Sequence, residues 1–214
     1  RAIARWMKDK YPNFKPHKIL DIGCGIGHNT LPIAEMYPDA EVVAIDAGAP
    51  MLRYGAARAT ALGIKNVKFI QLDAATMTEF KDEEFDWVQT TMFLHETGGK
   101  AIHKIFNEIG RVTKQGGVNL HIEQPQYTAD MSMFEQFMRD WDAYYNAEPY
   151  WGHMHDLAPE NLMNESGVDK KNFIQVGVKA INDLDKKKID GKVTEDYGRS
   201  PIWNVFGGWK PPRP

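Results

Sequence analysis

Three aspartates stand where a ligand could use them: Asp21, Asp46 and Asp73 each close a short apolar run, in "KILDI", "VVAID" and "FIQLD". After the first comes "DIGCGIG", with Gly23, Gly25 and Gly27 at alternate positions. Glycines so spaced let the backbone turn through conformations other residues avoid and admit a ligand close to it. A further candidate is "FLHE", where His95 and Glu96 put an imidazole beside a carboxylate, the side chains of general acid–base chemistry.

The loop discriminates among ligands. The pattern G-x-x-x-x-G-K-[ST] is absent, so no lysine is placed to reach a nucleoside triphosphate. The dinucleotide fingerprint G-x-G-x-x-G also fails, since its third glycine would fall on His28 or Thr30. What fits is D-x-G-x-G-x-G. An acid at the mouth of such a loop repels phosphate but suits a ligand with an amine, as in the amino-acid end of S-adenosylmethionine, whose carboxylate suits exposed backbone N–H groups. Asp46 closes the second run, where a carboxylate can accept both ribose hydroxyls. Asp73 and the backbone N–H of Ala74 can meet an adenine edge. Any one of these acids alone is more often a cap or turn residue than a ligand contact.

Elements must hold these residues in place. "HKILDI" (17–22), "AEVVAID" (40–46), "NVKFIQL" (66–72), "FDWVQTTMF" (85–93) and "GVNLHIE" (117–123) read as strands, with helical patterns between them. Ile102, Ile105, Phe106, Ile109 and Val112 recur at helical spacing, and Gly116–Gly117 is expected to stop that helix. Strand and helix alternating in this way define an α/β, Rossmann-like, doubly wound and mostly parallel sheet with helices on both faces. Ligands of such sheets bind beyond the carboxyl ends of the strands, where the loop and the three aspartates fall.

After the fifth strand the rhythm breaks. Met133, Phe134, Phe137, Met138, Trp141, Tyr144 and Tyr145 form an apolar stripe, followed by "EPYWGHMH". It reads as an insertion over about 126–165, expected to be a helix packed on the body of one domain spanning 1–214, and a lid or acceptor-pocket wall. A short helix in "PENLMNESG" and strands in "NFIQVGVKA" and "IWNVFGGWK" follow. Lys186–Lys188 lie between acids and read as solvated loop, and "PPRP" as tail.

The matching elements, "ILDIGCGIG", "VVAID", "FIQLDAA", "FDWVQTTMFLHE" and "IGRVTKQGGVNLHIE", resemble the class I S-adenosylmethionine-dependent methyltransferases over roughly residues 15–125. The resemblance implies a seven-stranded sheet with the last strand antiparallel. It implies a cofactor-contact set of Asp21, Gly23, Cys24, Gly25 and Gly27 for the methionyl end, Asp46 and Ala47 for ribose, Asp73 and Ala74 for adenine, Met51 on the adenine face, and Thr90 or Thr91 near the sulfonium. The expected activity is methyl transfer to a small-molecule acceptor, with His95 and Glu96 as catalytic candidates and Tyr144, Tyr145 and Trp151 as acceptor contacts.

Two further features bear on the acceptor. The fifth strand alternates Val118, Leu120 and Ile122 with Asn119, His121 and Glu123, although a central parallel strand should be apolar on both faces. A hydrogen-bonded network is the plainer account. Metal ligation by His95, His121, Glu123 and Gln124, with His153 and His155, is the alternative, and no tight ligand spacing supports it. No metal is therefore expected. "TTMFLHE" is not the Asn/Asp-Pro-Pro-aromatic motif common in nucleic-acid methyltransferases, and a net charge of −3 shows no basic face, so nucleic acid is not expected as a partner.

Other readings remain. One is a non-catalytic cofactor-binding domain of a larger assembly, left open by a chain that begins at Arg1 rather than methionine. Another is a nicotinamide-dependent reductase, disfavoured by the failed fingerprint. A single cysteine and the lack of any apolar run near ~20 residues point to a cytoplasmic protein without a membrane span.

Overall fold

The computed structural model describes residues 2–123, 131–179 and 202–212. The chain opens with α1 (Ala2–Lys10), then β1 (Lys18–Ile22), α2 (Thr30–Met36), β2 (Glu41–Asp46), α3 (Ala49–Ala61), β3 (Val67–Gln71) and β4 (Phe85–Thr91). It continues through α4 (Gly99–Val112), β5 (Thr113–Glu123), α5 (Met133–Tyr145), α6 (Trp151–Asp156), α7 (Pro159–Glu165), β6 (Phe173–Lys179) and β7 (Ile202–Trp209). The strands form one seven-stranded sheet in the order β3-β2-β1-β4-β5-β7-β6. The first five pair in parallel, and β7 runs antiparallel to both β5 and β6. Successive strands step outward from β1 to β3 and the chain then returns to β4 on the other side of β1. That reversal leaves a crevice at the carboxyl ends of β1 and β4.

The pleat sorts β1 between two cores. Ile19 joins Ile3, Met7, Ile33 and Trp87 on one face, while Leu20 and Ile22 join Phe85, Ile105 and Ile109 on the other. All ten are at most 3% exposed, so each full burial contributes about 1.5–3 kcal/mol before chain entropy is counted. Of the stripe read on α4, Ile105, Ile109 and Val112 line this second core, while Ile102 and Phe106 join a third with Leu94, Met154 and Leu162.

Ahead of the first strand, α1 buries Ile3, Ala4 and Met7 against the first core. Two expectations are corrected. The fourth helix ends at Val112, ahead of the glycine pair: Thr113 already has extended φ and ψ, its hydroxyl donates to the Ile109 carbonyl, and Gly116 with φ 75° falls in an irregular stretch of β5. In α5 only Ala143 is buried, whereas Met133, Phe134, Phe137, Trp141, Tyr144 and Tyr145 are all exposed. The helix forms as its periodicity and its Ser132 cap dictate, but the stripe does not face the body of the domain. Gln124, the side chain of His155 and Lys186–Lys188 lie outside the described residues. Among those described, no helix is long and apolar enough to cross a membrane.

Candidate functional site

Past Ile22 the chain turns through Gly23, Gly25 and Gly27, with φ of 67°, 52° and 78°. The N–H groups of Gly23 and Cys24 both donate to the Ile45 carbonyl, at 2.9 and 3.0 Å, tying the loop to β2. Asp46 completes the tie: one carboxylate oxygen accepts from Gly25 N–H at 2.8 Å and the other from Gly48 N–H at 2.7 Å. Arg58 on α3 reaches across to the Ile26 carbonyl at 2.7 Å.

The glycines differ in what faces them. A Cβ on Gly23 would meet the Phe93 ring at 2.2 Å, so the close approach at this position is made by the turn after β4. A Cβ on Gly25 would meet nothing within 4 Å. Gly25 opens onto a cavity of about 240 Å³ lined also by Asp21, Gly23, Cys24, Met51 and Thr91, all expected from sequence, and by Ile26, His28 and Asn29, which were not.

Asp21 is 2% exposed, accepting from the Thr30 hydroxyl at 2.5 Å and the Gln89 amide at 3.0 Å. Burial pushes its carboxyl up to about 6, against the two hydrogen bonds that lower it. Burial, with the charges of Asp21 and Asp46, also drives the Cys24 thiol far above its usual range, so Cys24 is a packing residue and not a nucleophile. Thr91 lines the cavity, and its buried hydroxyl oxygen has no hydrogen-bond partner among the described residues. Thr90 does not share this position. It is fully buried and its hydroxyl lies 3.0 Å from His121 Nδ1, because neighbouring residues of a strand face opposite ways.

Asp46, Ala47, Asp73 and Ala74 are not among the residues that line the cavity. Asp46 is half-buried, Ala47 and Asp73 are exposed and Ala74 is buried; Asp73 accepts from Ala75 N–H, an Asx turn.

The polar face of β5 is a network of hydrogen bonds. Asn119 joins Thr113 and Ser166. His121 lies between the Phe106 and Phe206 rings, and burial lowers its imidazole to about 3, so it is neutral. Glu123 is fully buried at the end of the strand and organises the next turn of chain: one oxygen accepts from Phe93 and Leu94 N–H at 2.8 and 2.6 Å, the other from His95 Nδ1 at 2.8 Å. Met92, with φ 50°, provides the bend that aims those groups at one carboxylate.

His95 is 5% exposed, and the Trp151 ring packs edge-on against it at 5.3 Å. Burial alone would lower the imidazole. The Glu123 hydrogen bond and the charges of Glu123, Glu148 and Glu96 outweigh it and raise His95 above its ordinary value. Glu96 is itself exposed, with Oε1 3.7 Å from His95 Nε2. The structure thus gathers His95, Glu96 and Trp151, and leaves Tyr144 and Tyr145 apart from them, 78% and 64% exposed. Glu123 was legible only as a polar residue on the wrong face. No local spacing announces a partner 28 positions from His95. Among the described residues no three His, Cys, Asp or Glu side chains are grouped to hold a metal ion.

The site thus combines a switch-point crevice, a glycine turn tied to Asp46 and a cavity lined by Asp21, Gly25 and Thr91. Residues 19–117 match the family described as a methyltransferase domain. The chain is 32% identical over 132 residues to demethylmenaquinone methyltransferase from Geobacillus stearothermophilus, covering 60% of this chain and 55% of that one. It is 28% identical over 204 residues to phosphoethanolamine N-methyltransferase 1 from Arabidopsis thaliana, covering 92% and 39%. A structure of an S-adenosylmethionine-dependent methyltransferase from Methanosarcina mazei superposes with a TM-score of 0.65 at 19% identity, covering 94% and 95%. Over residues 19–117 the chain is therefore similar to methyltransferase domains, and its fold is shared with S-adenosylmethionine-dependent methyltransferases, whose methyl donor is S-adenosylmethionine. It spans about half the length, or less, of the relatives it matches.

Proposed function

We propose that this chain, as one domain spanning 1–214 with the 126–165 segment as an insertion, transfers a methyl group from S-adenosylmethionine to a small-molecule acceptor, with His95 as general base. The observation that carries this is the His95–Glu123 pair at the carboxyl ends of β4 and β5, linked to the donor loop by the packing of Phe93 on Gly23. The residues around the cavity fit the donor. Gly25 would leave space for its methionyl end, Asp21 would hold its amine directly or through water, and Asp46 and Asp73 would hold the nucleoside end. When bound, the donor supplies an electrophilic methyl group on a positively charged sulfur.

The chain's own part is alignment and proton removal. An in-line displacement is accelerated chiefly by holding the nucleophile against the methyl group away from water. Glu123 fixes the imidazole with its proton on Nδ1, leaving the Nε2 lone pair as acceptor. By raising the basicity of His95, the surrounding carboxylates make it a stronger base than a free imidazole. We place the protein in the cytoplasm, in keeping with its single cysteine, and assign it no nucleic-acid partner.

The test is calorimetry with S-adenosylmethionine and incubation of the enzyme with methyl-labelled donor and a small-metabolite extract. Labelled product is expected, with a rate that rises with pH through an inflection above the ordinary imidazole value of about 6.5. His95→Gln should lower the rate by about 10²-fold or more while leaving donor affinity within twofold. Donor binding without product from any fraction would refute methyl transfer, and an unchanged rate in His95→Gln would remove the base.

A further inference from the structure

His95 sits among acids delivered by separate stretches of chain. Glu96 comes from the short turn after β4, Glu123 from the end of β5, and Glu148 from the link between α5 and α6. The strongest charge effects on His95 all come from these three carboxylates. Those on Glu148 come from His95, Glu96, Glu123 and Asp142, and burial raises its carboxyl above the usual value. Acids alone would be a solvated cluster, but this one surrounds a buried polar group held ready. His95 is 5% exposed, yet its Nε2 makes no hydrogen bond among the described residues, with Glu96 Oε1 at 3.7 Å beyond bonding distance. Glu148 has one buried oxygen with no partner, and Trp151 puts an aromatic ring against the same imidazole.

Resting on the methyl-transfer reading above, we propose that the acceptor is an amine that enters as its ammonium form, held by Glu96 and Glu148 beside the Trp151 ring. Carboxylates and an aromatic face are the groups that recognise an organic cation. They also offset the repulsion between a cationic acceptor and a positively charged sulfur. A hydroxyl or carbon acid would instead develop negative charge beside three carboxylates, which opposes the step. In the amine case one N–H bond breaks, its proton passes to His95 Nε2 and its electron pair stays on nitrogen. That pair then forms the nitrogen–methyl bond while the carbon–sulfur pair remains on sulfur. The positive charge moves from sulfur to the methylated nitrogen.

The site can be probed without any donor, so that a failure of methyl transfer does not affect the result. Histidine-labelled full-length chain is titrated at constant ionic strength with tetramethylammonium chloride or sodium benzoate, following the His95 ring resonance assigned through His95→Gln. Tetramethylammonium should shift that resonance saturably, and Glu148→Gln should weaken its binding roughly five- to tenfold, with Glu148→Asp in between. Benzoate should leave it unmoved. Saturable benzoate binding without tetramethylammonium binding, or tetramethylammonium binding unaffected by Glu148→Gln, would overturn the cation site. The labelled product gives the second arm: retention on a cation exchanger supports an amine, while a neutral or anionic product overturns the amine and leaves methyl transfer standing. Cation binding with no labelled product would support the cation site and refute methyl transfer alone.

Discussion

The donor loop is tied to the sheet by separate acceptors, whereas at the turn after β4 three donors converge on a single carboxylate side chain. Around Gly23, Cys24 and Gly25 the N–H groups are satisfied one by one, by Ile45 and Asp46, and Arg58 fastens the far side at Ile26. Around Phe93, Leu94 and His95 three donors converge on Glu123. The contrast suits the division of labour. A donor common to a family can be met by a loop whose geometry is written into the backbone. An acceptor particular to one protein is better met by side chains, which can change without disturbing the sheet.

Removing the single support should therefore have the largest effect. Glu123→Ala leaves two backbone N–H groups and an imidazole N–H without an acceptor in a dry site, at a cost of about 3–5 kcal/mol. Urea denaturation should show that loss, and the His95 ring resonance should lose its raised titration point. A loss below about 1 kcal/mol would mean that the turn holds itself, and the contrast between the two regions would fall.

Within the donor loop, two glycines sharpen the comparison. Both have positive φ, which costs an alanine about 1–2 kcal/mol. At Gly23 the added methyl also collides with Phe93 at 2.2 Å, against a ring whose Cβ is itself only 2.9 Å away, so the ring cannot swing clear without moving the turn. Gly23→Ala should cost about 3 kcal/mol in all and weaken the turn at His95 as well as the donor site. At Gly25 the same methyl meets open space, so Gly25→Ala should cost only the backbone strain while still reducing S-adenosylmethionine affinity. Equal destabilisation of the two variants in urea would show that Phe93 does not lock the regions together.

The same difference explains what could be read from the sequence. The strand-ending aspartates and the glycine turn were legible because strand, turn and ligand contact lie within a few residues of one another. The parallel sheet followed from alternation of runs whose boundaries the structure moves by one to four residues. What could not be read depends on distant pairing. Asp46 looked like a ribose ligand alone, and its hydrogen bond to Gly25 appears only once β1 and β2 are side by side. Gly23 seemed to make room for a ligand and instead makes room for Phe93, seventy positions on (93 − 23). Asn119, His121 and Glu123 were visible as an anomaly on β5, but their partners come from β4, the chain after it and α7. α1 carries no strong signal beyond three buried apolar residues in nine.

The smallest effect is expected where periodicity misled most. Phe134 lies on the apolar stripe of α5, which by its spacing alone belongs in a core. It is 71% exposed, and Met133, Phe137 and Trp141 on the stripe are exposed with it, while Met138 is half-buried. A side chain this open keeps most of its contact with water in the folded state, so Phe134→Ser removes little burial, and serine forms a helix about as readily as phenylalanine. Thermal and urea unfolding should place the variant within about 0.5 kcal/mol of the parent. A core phenylalanine would instead lose about 3–5 kcal/mol on truncation to alanine, and a change to serine should be no cheaper. A loss in that range would mean that the stripe is buried in solution and that the insertion, like the donor loop, is held by the body of the domain.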